Sequence, residues 1–133
     1  MNILVVFPTD KLQSLVDILS ELYPDAQIAT DYDGMGGVQY AFNHPVDMVY
    51  TGLRVKPLNG FDVARLVWKV HPQAEVSLIA DTQAYLKRAA EANFSGYFIE
   101  PIDRDTLLHG NILTDYTANR TATRGERIGG MRG

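Results

Sequence analysis

Short runs of branched and aromatic residues alternate with amphipathic stretches along most of the chain. Asn2–Phe7 (NILVVF) is apolar throughout and predicts a buried strand. Leu12, Leu15, Val16, Leu19 and Leu22 then recur at helical spacing behind a cap at Thr9 or Asp10, until Pro24 blocks continuation. Ala26–Thr30 predicts a second strand. After the Asp33-Gly34 turn, Met35, Val38, Ala41 and Phe42 line one face of a helix that stops before Pro45. The third strand is Met48, Val49 and Tyr50 with Thr51-Gly52 at its tip. Asn59 caps a third helix whose Val63, Leu66, Val67 and Val70 face inward, with Pro72 just past its end. Glu75–Ala80 (EVSLIA) and Gly96–Ile99 (GYFI) predict strands four and five, with an alanine-rich helix over Thr82–Ala92 between them. A fifth helix is expected over Asp103–Tyr116, weakened at Gly110, since glycine inside a helix costs about 1 kcal/mol.

Five strand–helix units in succession predict an α/β fold, a parallel sheet covered on both faces with right-handed crossovers. The expected product is a flavodoxin-like (βα)5 three-layer sandwich with strand order 2-1-3-4-5, occupying residues 1–116. Residues 117–133 (TANRTATRGERIGGMRG) lack apolar periodicity and predict a flexible basic tail.

Composition narrows the picture further. At 133 residues, one domain with a full core is expected. No apolar run nears the roughly 20 residues of a bilayer span, and Met1-Asn2-Ile3-Leu4 lacks the basic start of a secretion signal, so a cytoplasmic location is expected. With no cysteine there is no disulfide framework and no thiolate ligand or nucleophile. Residues 1–110 hold 14 acidic and 8 basic side chains, whereas residues 111–133 hold 2 and 4. A body this acidic repels phosphate backbones, which argues against nucleic-acid binding by the folded part.

In a parallel sheet, chemistry gathers where strands end. Here those ends are Phe7-Pro8, Gly52, Ala80-Asp81 and Glu100-Pro101. They offer no nucleophile with an adjacent base and no carboxylate cluster at ligand spacing. Asp10, Asp81 and Glu100 stand one per loop, and Asp81 is expected to cap helix four. Gly34-Met35-Gly36-Gly37 follows the wrong strand for a phosphate loop and lacks its lysine; a turn and close helix packing account for it. The histidines at 44, 71 and 109 fall at helix ends, where a dipole contact explains them better than metal binding. Ser77 lies inside a strand. No metal, no cofactor and no enzymatic activity are expected.

Three segments together resemble the receiver domain of bacterial two-component response regulators, over about residues 2–116. ILVV at 3–6 is similar to that family's first strand. DMVYTGLRVKPLNGFDV at 47–63 tracks its third strand and following loop, with Asp47, Arg54 and Gly60 in place, and GYFIEPID at 96–103 tracks its fifth strand and proline turn. The resemblance implies a phosphorelay site, yet every functional position differs. The magnesium-binding acids correspond to Phe7 and Pro8, and the phosphorylated aspartate to Gly52. The hydroxyl that bonds the phosphoryl group corresponds to Ala80, and the lysine to Glu100. Tyr97 keeps the aromatic switch position. The expectation is therefore a degenerate, pseudo-receiver form whose old pocket is small, apolar and filled.

The resemblance further implies an interaction face on helix four, strand five and helix five, here Tyr85, Lys87, Arg88, Tyr97, Arg104 and Asp105. Aromatics beside arginines suit an interface. A protein partner in a signalling or transcription complex, or a homodimer through that face, is expected, independent of aspartyl phosphorylation. The rival readings are a domain gated by a small ligand or metal, and a regulatory piece of a DNA-binding transcription factor.

Overall fold

The computed structural model describes residues 1–118. Strands β1 (Asn2–Val6), β2 (Gln27–Asp31), β3 (Met48–Gly52), β4 (Glu75–Ala80) and β5 (Gly96–Ile99) alternate with α1 (Lys11–Leu22), α2 (Gly34–Asn43), α3 (Gly60–Val70), α4 (Leu86–Glu91) and α5 (Arg104–His109). The strands form one parallel sheet in the order β2-β1-β3-β4-β5, as expected.

Alternation along the strands divides the core in two. Ile3, Val5, Tyr50, Ile79 and Phe98 pack on Leu12, Leu15 and Leu19 of α1. Leu4, Val6, Val49, Val76 and Leu78 pack on the other face against Val38, Val63 and Val67 of α2 and α3. Each such side chain contributes about 1.5–3 kcal/mol on burial. A slip of one residue would exchange the two sets, so the register is tightly specified.

Local chemistry sets most helix ends. Asp10 occupies the N-cap of α1 but makes no side-chain cap, and Thr9 Oγ1 accepts from the Lys11 N–H at 3.2 Å instead. Asn59 and Asp62 form a reciprocal capping box at α3, and Asp33 and Asp103 cap α2 and α5. His44 and His71 close α2 and α3 at the residues just after them, and His109 ends α5. Thr106 donates to the Asp103 carboxylate from both its backbone N–H and its hydroxyl, and the backbone bond above all holds that carboxyl below its ordinary range.

Several expected details are corrected. In α2, Met35 and Phe42 are 42% and 51% exposed, because the buried stripe is made by Gly34, Gly37, Val38 and Ala41. Val70 is 45% exposed at the last turn of α3, where Phe61 and Ala64 fill the interior instead. The fourth helix is shorter than Thr82–Ala92. Asp81 does not cap it, and Thr82 Oγ1 accepts from the Ala84 N–H in a turn ahead of it. The fifth helix breaks at Gly110-Asn111: Asn111 Oδ1 accepts from the Leu113 N–H and starts a separate helical segment over 112–118. That segment runs past the expected boundary at 116; the rest of the 117–133 expectation lies outside the described residues.

Two core tyrosines respond to this packing. Burial pushes the Tyr50 and Tyr97 hydroxyls above the ordinary tyrosine value of 10.0.

Asn59→Ala should remove one arm of the α3 capping box and lower unfolding stability by about 1 kcal/mol. Urea denaturation checks this, and an unchanged midpoint would contradict it. Because the unfolded tyrosines ionise near pH 10 while the folded pair keep their protons, stability should be intact below about pH 10 and fall as pH rises through the folded values. Urea midpoints on either side of that pH test the sign; a midpoint that rises there would contradict it.

Candidate functional site

The register brings the ends of β1, β3 and β4 side by side, with Val6 opposite Thr51 and Gly52 opposite Ile79. Above them lies a cleft of about 90 Å³, lined among others by Phe7, Pro8, Gly52, Ala80, Asp81 and Glu100. The topology thus collects Phe7, Pro8, Gly52, Ala80 and Glu100, the five strand-end positions singled out in the sequence, at one site. Phe7 and Ala80 are buried there, and Pro8 is exposed at the rim.

Gly52 faces the ring of Phe7. A Cβ at position 52 would stand 3.2 Å from Phe7 Cδ1 and 3.4 Å from Val55 Cγ1, so any side chain there needs the aromatic ring to yield. Gly60 holds the loop close from the other direction, since a Cβ on it would lie 2.6 Å from the Gly52 carbonyl oxygen. The floor is accordingly apolar and tight, though a small hollow persists where complete filling was expected. Thr51 turns away from the cleft: it is buried and its hydroxyl donates to the Gly52 carbonyl at 3.1 Å.

Charges on the rim are paired with one another. Arg54 Nε donates to the Asp81 carboxylate at 3.1 and 3.3 Å, and Lys11 Nζ lies 3.8 Å from Glu100. Both pairs are largely exposed, so each contributes at most about 1 kcal/mol. Their effect is positional, because Asp81 and Glu100 are drawn to cations on different sides of the cleft. Mg²⁺ requires several oxygen ligands in near-octahedral order. Phe7, Pro8 and Gly52 bring no carboxylate, and among the described residues no three His, Cys, Asp or Glu side chains are grouped to hold a metal. The donor set does not fit that ion.

The residues expected on the interaction face have different surroundings. Tyr97 is wholly buried; its hydroxyl donates to the Thr82 carbonyl at 2.6 Å and its N–H to Asn111 Oδ1 at 3.1 Å. It supports the β4–α4 turn from beneath and presents no surface. Arg104 reaches Glu21 on α1 at 3.3 Å, on the opposite side of the sheet. Tyr85 and Arg88 pack toward α3, with the Arg88 guanidinium 4.0 Å above the Phe61 ring. Lys87 and Asp105 are exposed. Sequence reasoning missed Asn111, whose Nδ2 donates to the Ser95 carbonyl and so ties the start of the last helical segment to the start of β5. The Gly110-Asn111 pair, a stop signal followed by a good cap, was its visible trace.

Comparison with known proteins matches this geometry. No protein-family model matches the chain. The response regulator ArlR of Staphylococcus aureus is 24% identical over 108 residues, covering 80% of this chain and 49% of ArlR, so the chain spans about half the length of that relative. Among solved structures, a chain of the CheX–CheY–BeF3–Mg²⁺ complex of Borrelia burgdorferi superposes with a TM-score of 0.73 at 17% identity, over 87% of this chain and 89% of the other. The receiver domain of the sensor histidine kinase PA1611 of Pseudomonas aeruginosa, which has a magnesium ion in its active-site cleft, gives 0.67 at 18% identity, over 86% and 94%. The chain has the CheY-like receiver fold of response regulators, and that fold sets an aromatic ring, a glycine and an alanine at its strand tips.

Proposed function

We propose that the chain is a non-catalytic pseudo-receiver, a two-component signalling module that works by binding another protein, independently of aspartyl phosphorylation. The contact between Gly52 and the Phe7 ring carries this reading. Position 52 has no carboxylate to form an acyl phosphate, and the ring that crowds it stands where an acid would hold the metal. Glu100 adds a negative charge where an incoming phosphate would need a positive one, and Ala80 has no hydroxyl to bond it. One such change could be offset by a neighbour, but these stand together at the tips of four strands around one cleft. What the fold retains is surface, and a matched chain of the Borrelia CheX–CheY complex, which has the same fold, supports binding to a protein partner.

Incubation with acetyl phosphate and Mg²⁺, followed by intact-mass measurement, should return the mass of the unmodified chain only. A species heavier by one phosphoryl group and cleaved by hydroxylamine would overturn the reading.

A further inference from the structure

Basic side chains are concentrated on one part of the molecule. Of the eight within residues 1–118, five line two adjoining hollows, between α3 and α4 and at the loop before α3, that together form a groove: Arg54, Lys56, Arg65, Lys69 and Arg88. Asp62 is the one acidic residue lining it, out of fifteen in 1–118. The groove has two stretches, of about 490 and 340 Å³, that meet at Phe61 and Arg88.

Its floor is aromatic. Tyr85, Phe61, Phe94 and Trp68 follow one another with ring centroids 6.2, 5.2 and 5.4 Å apart, the last two contacts edge to face. Trp68 is half-buried and fixed by its Nε1–H, which donates to the Ala74 carbonyl at 2.8 Å. Arg54 and Arg65 are engaged by Asp81 and Asp62, whereas Lys56, Lys69 and Arg88 form no ion pair among the described residues.

We propose that this groove docks an extended acidic segment of a partner protein that carries an aromatic or large aliphatic side chain. The proposal deepens the protein-binding reading above and rests on it. Carboxylates would pair with Lys56, Lys69 and Arg88, and the apolar side chain would cover the exposed part of the Trp68–Tyr85 floor. Charge excludes the chain's own last segment, since residues 119–133 carry four arginines and one glutamate. Shape favours a peptide over a small molecule, because both stretches are open to solvent, and sites for small ligands bury most of the ligand.

Trp68 is the only tryptophan in the chain, so its emission reports on the groove without a label. Titration of the full chain with a glutamate-rich peptide containing one phenylalanine should give a saturable change in Trp68 emission that weakens as salt is raised. Joint Arg65→Glu and Lys69→Glu substitution, at two exposed positions, should weaken binding about tenfold while the chain stays folded, the thermal midpoint falling by no more than about a few degrees. Lys87→Glu, outside the groove, should leave it as it was. The assignment is overturned by no emission response, by equal loss in Lys87→Glu, or by equal binding of a lysine-rich peptide. Tighter binding of an oligothymidylate, or an emission change that follows self-association as protein concentration rises, also overturns it. Phosphorylation by acetyl phosphate would sink the phosphorylation-independent reading while leaving this response intact, so the two failures are distinguishable.

Discussion

A parallel sheet buried on both faces admits one register for each strand pair, because a shift of one residue would send every inward side chain to the wrong layer. In this chain Leu4 and Val6 serve one core while Ile3 and Val5 serve the other, and β3 and β4 are bound by the same alternation. That constraint fixes where the strands end. Phe7, Gly52 and Ala80 must meet at one edge whatever their chemistry, so packing alone holds the strand tips of the receiver fold together. Its chemistry is a separate matter, decided by side chains that the core does not require.

The substitutions at that edge fit one another. A glycine at 52 accommodates the ring at 7, and the ring in turn leaves no easy room for a side chain at 52. On the rim, an acid at 100 faces Lys11 and Arg54 faces Asp81, so the charges are internally matched and none points at the hollow unopposed. The positive charge left unmatched lies elsewhere, over the aromatic row between α3 and α4. There a guanidinium stacked on Phe61 and two lysines with no ion pair among the described residues stand out on an otherwise acidic body.

Much of this was legible in the sequence. The β4 and β5 boundaries followed directly from apolar runs, and prolines at 24, 45 and 72 marked three helix ends. The strand ends named from motif spacing, Phe7-Pro8, Gly52, Ala80 and Glu100, do line one cleft. Failures came where tertiary contacts outweighed local pattern. Met35 and Phe42 matched helical spacing, but glycines let α2 approach the sheet so closely that only small residues fit beneath it. The alanine-rich stretch from Thr82 promised a longer helix, but the Thr82 carbonyl is taken by the Tyr97 hydroxyl and its side chain by a turn. Nor does adjacency in sequence say which side of a short helix meets its neighbour: Arg88 turns toward Phe61, and Tyr97 is buried beneath the β4–α4 turn.

Loss of the metal-dependent phosphoryl site while its scaffold persists is tested most directly by titrating Mg²⁺ into the isotopically labelled chain and following the amide resonances of Phe7, Gly52 and Ala80. The account predicts no saturable movement at these positions beyond a general ionic-strength drift. A saturable shift confined to the three strand tips would show a cation seated there and would contradict it.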